Sequence, residues 1–222
     1  MNYDLISEYW PEIWLGFQTT LLLSCLVIAI STPIAFLIAV IRHLRIPGLS
    51  PLLSGYVHLF RALPALVVLF FAFYALPKLG FALQPFPAAV VGMVATSVAY
   101  VSEDFRAGIA AIGRGQWDAG HALGLGVGRI VRRIILPQAI PIMVPSFMTN
   151  AIIIVKATAI ASLIGVSELT GASMGAMSIT YSALDFLMIA AVLYLIISAV
   201  LATLQAIIEF ALERRLTARP RA

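Results

Sequence analysis

The chain has 222 residues, of which 62% are hydrophobic and 11% charged, where a soluble domain carries roughly 25% charge. That deficit excludes a water-soluble fold, and the apolar residues come in blocks near the roughly 20 residues a helix needs to cross a bilayer core. The formal net charge of +4 sits on residues that flank these blocks, so it reads as a topology signal rather than a nucleic-acid surface.

Five spans follow in chain order. Tyr9, Trp10 and Trp14 form an interfacial aromatic anchor ahead of a first span over 21–41, which ends at Arg42, His43 and Arg45. No basic segment precedes that span, so it is expected to stay in place rather than act as a cleaved signal. Ile46-Pro47-Gly48 breaks the chain. The second span covers 64–79, between Arg61 and Lys78, and the third covers 87–101. The third runs into Ser102, Glu103, Asp104 and Arg106. The fourth occupies 139–166 and contains Pro141 and Pro145, and the fifth occupies 186–208. The single Cys25 excludes an internal disulfide and reads as a small apolar residue inside a helix.

Basic residues set the orientation. With the N-terminus outside, the inside holds Arg42, Arg45, Arg61, Arg106, Arg114, Arg129, Arg132, Arg133, Arg214, Arg215, Arg219 and Arg221. The outside then keeps Lys78 alone, with Lys156 inside a span. That asymmetry predicts an outside N-terminus and an inside C-terminus.

The cytoplasmic stretch 103–137 carries more order than a connector needs. Helix formers run from Gln116 to Leu123, with Asp118 near the positive N-terminal end and Gly124 as the stop. Val127, Ile130, Val131, Ile134 and Ile135 then recur at helical spacing, with Arg129, Arg132 and Arg133 opposite. This predicts an amphipathic helix ending at Pro137. One reading lays that helix on the membrane surface, but this leaves the short helix before it without a purpose.

Gln116-Trp117-Asp118-Ala119-Gly120-His121-Ala122-Leu123-Gly124, followed by Ile134-Ile135-Leu136-Pro137, resembles the "EAA" loop of bacterial ABC importer permeases. The chain is similar more narrowly to the polar amino acid branch, the histidine/glutamine/glutamate type. Three further blocks carry that likeness: 56–64 (Tyr-Val-His-Leu-Phe-Arg-Ala-Leu-Pro), 99–109 (Ala-Tyr-Val-Ser-Glu-Asp-Phe-Arg-Ala-Gly-Ile) and 162–170 (Ser-Leu-Ile-Gly-Val-Ser-Glu-Leu-Thr). Asp118 and Gly120 depart from the usual Glu and Ala. Other departures are His58, Ala62-Leu63 and Ala157.

The resemblance implies an all-α integral membrane permease of the type I importer fold, one domain over 1–222 in the bacterial inner membrane. Its coupling loop would dock on a cytoplasmic ATPase through Asp118, Ala119, Gly120 and Gly124, with Trp117 or Leu123 as apolar anchorage. It also implies a second permease subunit, homo- or heterodimeric, and an extracytoplasmic binding protein seated on loops near 80–86 and 167–185. ATP and Mg would belong to the ATPase. The sequence itself contains no phosphate-binding Gly-x-x-x-x-Gly-Lys-Ser/Thr, and Gly124-x-Gly126-x-Gly128 is no nucleotide fingerprint.

Polar residues inside spans are candidates for the substrate path. Lys156 would cost about 2.5–3.5 kcal/mol in lipid unless it faces protein, substrate or water. It is expected either to pair with Glu103 or to meet a substrate carboxylate. Asn150, Thr149, Thr158, Thr96 and Ser97 line a route or make ordinary interhelical bonds. His58 and His121 lack ligand spacing, so no metal site is expected, and no nucleophile–base set suggests catalysis. The rival function is a secondary carrier driven by an ion gradient, with Glu103 and Lys156 as coupling charges. An ATPase-docking loop argues against it.

Overall fold

The computed structural model describes the backbone of residues 3–217. The arginines at 219 and 221 and the side chain of Arg215, all assigned to the inside tail, lie outside the described residues. Those described are helical or in short connections, without strands.

Helix α1 spans Tyr3–His43. It begins far before residue 21, because the aromatic segment predicted as an anchor is itself helical: Trp10 stacks on Trp14 and Trp14 on Phe17. A tight turn at 44–48, with Arg45 at φ 52°, leads into α2 (Leu49–Ala62). Leu63 and Pro64 are extended and start α3 (Ala65–Phe70), which continues through a π turn and a 3₁₀ turn to Leu79. Proline disfavours the helical state of the residue before it, so the chain bends here by 107°. The second span is thus one arm of a broken pair. Helix α4 runs Pro85–Ala110, well past residue 101.

Helix α5 occupies Arg114–Ala122. The next stretch corrects the sequence reading. Helix α6 (Val127–Ile130) does not stop at Pro137; it passes through a π turn over Val131–Ile135 into α7 (Leu136–Ala157) and a 3₁₀ extension to Ile164. In the π turn the Leu136 N–H reaches back five residues to the Val131 carbonyl. That wider turn takes up the disruption which Pro137, lacking an N–H, would otherwise bring. The loop expected over 103–137 therefore shrinks to α5 and its two flanking turns.

Helix α8 (Leu169–Thr180) fills most of 167–185, which is no open loop, and α9 (Ala183–Thr217) closes the bundle. Among the described residues four helices are long and apolar enough to cross a membrane, or five when the bent pair is counted as one span.

Helix α4 lies at the centre against α1, α2, α3 and α7, and α8 fills the space between α1 and α9. Small buried residues (Ala35, Ala39, Ala88, Ala89, Ala99) bring backbones close, as membrane helices require when water does not drive packing. Leu195, Val200 and Ile207 leave α9 with an exposed apolar face, fitted to lipid.

Candidate functional site

Helix α5 stands off the bundle but is tied to it at three points. Its end is a Schellman cap: the Gly124 N–H donates to His121 O at 2.9 Å and the Leu125 N–H to Gly120 O at 3.1 Å. Gly124 takes φ 71°, the left-handed geometry such a cap demands. Gly120 is buried, and a Cβ there would come within 2.8 Å of Ile130 Cγ1. Trp117 stacks on His43 at the end of α1, ring centroids 5.3 Å apart. Gln138 on α7 donates to Gln116 Oε1 at 3.3 Å.

These contacts sort the predicted docking residues. Asp118, Ala119, Leu123 and Gly124 are exposed, and Leu123 is 76% exposed. Gly120 and Trp117 face inward and hold α5 in place. Asp118 lies mid-helix rather than at the positive end, because the helix starts at Arg114 and has no acidic residue in its first turn.

Further along the same rod, α7 forms one wall of a cavity of about 290 Å³. Met93, Thr96, Ser97 and Tyr100 of α4 face Asn150, Ile153, Ile154 and Ala157 of α7, with Ala65 and Ile160 completing the lining. Three hydroxyls and one amide supply the polarity, and no charged side chain lines it. Asn150 also donates to Asp104.

The other candidate path residues lie elsewhere. Glu103 pairs with Arg42, with Arg106 at 2.9 Å and with Arg61 at 3.8 Å. Three guanidiniums surround its carboxylate, so the expected pair with Lys156 is not formed. Lys156 is exposed on α7, away from the cavity. Thr158 is buried, donates to Val155 O at 2.7 Å and lies 3.4 Å from the Tyr194 hydroxyl.

Thr158 borders a centre that sequence reasoning passed over. Glu168 is fully buried and accepts from Tyr194 Oη at 2.6 Å, Thr20 Oγ1 at 3.3 Å, and the N–H groups of Thr170 and Gly171 at 3.0 and 2.8 Å. It caps α8 while tying it to α1 and α9. The signal was present as an acidic residue before a helix, but Glu168 was read only as part of a family block.

A tethered surface helix joined by a rod to a polar cavity is the layout of a driven transporter, and residues 31–217 match the model of the "binding-protein-dependent transport system inner membrane component" family. The chain belongs to that family. This permease is 34% identical over 215 residues to the L-cystine transport system permease protein of Bacillus subtilis, covering 96% of this chain and 92% of that one. It is 30% identical over 229 residues to the nopaline transport system permease protein of Agrobacterium fabrum, with 99% and 95% covered. The crystal structure of an amino acid ABC transporter with histidines superposes with a TM-score of 0.87 at 29% identity, covering 95% of this chain and 99% of that one. An inward-facing MetNI methionine ABC transporter shares the fold, with a TM-score of 0.77 at 21% identity, over 88% and 93% of the two chains. The protein is a multi-pass membrane permease subunit of an ABC transporter.

Proposed function

We propose that this permease forms half of a homo- or heterodimeric core that imports polar amino acids, or amino-acid derivatives such as opines, across the bacterial cytoplasmic membrane. Its N-terminus lies outside and its C-terminus inside. Separate cytoplasmic ATPase subunits, which bind ATP and Mg, dock on the exposed face of α5. An extracytoplasmic binding protein delivers the substrate.

One observation carries this reading. A single helical rod over 127–164 meets α5 through Ile130 at one end and supplies the cavity wall through Asn150, Ile153 and Ala157 further along. A push on Leu123 by a closing ATPase would thus reach the cavity without passing through a loop. The cavity's room equals about ten waters at roughly 30 Å³ each, enough for one amino acid. Thr96, Ser97, Tyr100 and Asn150 offer donors and acceptors to a zwitterion without burying a net charge. L-cystine, in the printed name of a relative, is of that chemistry. The ion-gradient alternative gains nothing from Glu103, held by arginines, or from Lys156, turned away from the cavity.

The test is uptake of labelled amino acids into proteoliposomes holding the permease, its ATPase and its binding protein. Transport should require ATP and fall at least tenfold in Asn150→Ala, with basal ATP hydrolysis retained. Uptake that follows an ion gradient without ATP would refute the reading.

A further inference from the structure

The arginine-rich end of the bundle holds a cleft of about 610 Å³ behind α5 that transport leaves without a role. Its lining combines Arg42, His43 and Arg45 at the end of α1, Arg106 at the end of α4, and Arg114, Trp117 and Asp118 on α5. A second opening of about 510 Å³ shares Arg42, Arg45 and Arg106 and continues to Gly48, Ser50 and Ser54 at the start of α2. Three arginines therefore stand between two adjoining recesses.

The charges there do not cancel. Glu103 engages Arg42 and Arg106, and Asp118 is the one carboxylate on the cleft lining. Two carboxylates face four guanidiniums. Arg45 and Arg114 make no ion pair among the described residues. The amino end of α2 adds the positive end of a 14-residue helix with no acidic residue in its first turn, which favours an anion. Topology alone asks only that arginines lie on one side; it does not ask that four converge, from three helices and the turn after α1, on one concavity. Guanidinium groups converging in this way suit the oxygens of a phosphate.

We propose that this cleft binds a phosphate group of net negative charge, carried by an anionic phospholipid headgroup at the inner leaflet or by a soluble phosphate ester. The inner-leaflet placement rests on the orientation proposed above; the substrate does not enter the argument. Arg45 and Arg114 supply the free charge, while Arg42 and Arg106 are oriented by Glu103. The stack of His43 on Trp117 forms the apolar side.

The test uses the full-length permease bound to its ATPase in detergent, with native mass spectrometry to count bound molecules. The probes are short-chain phosphatidylglycerol, short-chain phosphatidylcholine and inorganic phosphate. One phosphatidylglycerol per permease chain is expected, bound at least tenfold more weakly in Arg45→Gln/Arg114→Gln, with phosphatidylcholine weak in both proteins. Arg45→Lys/Arg114→Lys should lose less than the Gln pair. Phosphate binding with the same dependence on Arg45 and Arg114, and no phosphatidylglycerol, would assign the soluble source. Arg114→Gln alone, at an exposed residue at the start of α5, reads the effect if the double variant fails to fold. Equal binding of phosphatidylglycerol and phosphate to wild-type and variant proteins overturns the proposal, as does no binding of either. None of these readouts involves uptake, so failure here is separable from failure of the transport reading.

Discussion

The Tyr194 hydroxyl donates to Glu168 Oε2 at 2.6 Å, and Glu168 is wholly hidden from solvent. Thr20, Thr170 and Gly171 bring the remaining donors, so α1, α8 and α9 share one acceptor. Losing Tyr194 Oη should cost about 1.5–3 kcal/mol, the range for a hydrogen bond to a charged group. Tyr194→Phe is therefore expected to lower the unfolding midpoint in detergent, and Glu168→Ala to lower it further because four donors are orphaned. An unchanged midpoint in Glu168→Ala would show that the cluster does not hold α8.

Gly120 and Ile130 give a two-way test of the tether. Gly120→Ala places a methyl within 2.8 Å of Ile130 Cγ1 and should shift α5, reducing co-purification with the ATPase several-fold. Combining it with Ile130→Ala opens the needed space and should restore most of the association. Rescue is the discriminating result, since two independent lesions would add instead.

The exposed end of α5 should behave differently. Leu123→Asp leaves the fold alone and is expected to weaken ATPase association tenfold or more, by placing a charge on an apolar anchor. Gly124→Val puts a β-branched residue at φ 71°, a strain of about 1–3 kcal/mol, and should disturb the cap as well as docking. Pull-down with the ATPase and ATP hydrolysis rates measure both; full association of Leu123→Asp would remove this face from the interface.

Lys156 and Arg42 should rank in the reverse of what the sequence suggests. Lys156→Met removes an exposed charge that makes no ion pair among the described residues and should leave the unfolding midpoint within a degree or two, with uptake intact. Arg42→Met strips Glu103 of a partner whose side chain is 8% exposed and should cost about 1.5–3 kcal/mol, the range for a hydrogen bond to a charged group, because Arg106 and Arg61 still face the carboxylate. Thermal unfolding of both variants decides the order.

Much of this was legible because hydropathy and turn chemistry are local. The apolar blocks mark the crossings, and Gly124 marks the end of α5. What escaped depends on partners distant in sequence. Pro137 reads as a stop when taken alone, and only the π turn lets the helix pass it. Lys156 reads as buried from span position, but which face of α7 is covered depends on α4 and α9. Glu103 was open to a lysine until Arg42 and Arg61, from α1 and α2, came to it. Glu168 looked like part of a motif because its donors come from residues 20 and 194.

The π turn at Val131–Ile135 also fixes a phase. Such a turn carries one residue more than the α-helical path between the same two points, and each residue of an α-helix turns the axis by about 100°. Closing the turn into continuous α-helix without removing a residue would rotate Ile130 and Asn150 by about that angle relative to each other. Ile130 could then meet Gly120 only if Asn150 left the cavity. Loss of one residue from this stretch is tolerable in principle, because it restores the α-helical path at the same phase, whereas straightening the turn at full length is not, because it disengages one end of the rod or the other.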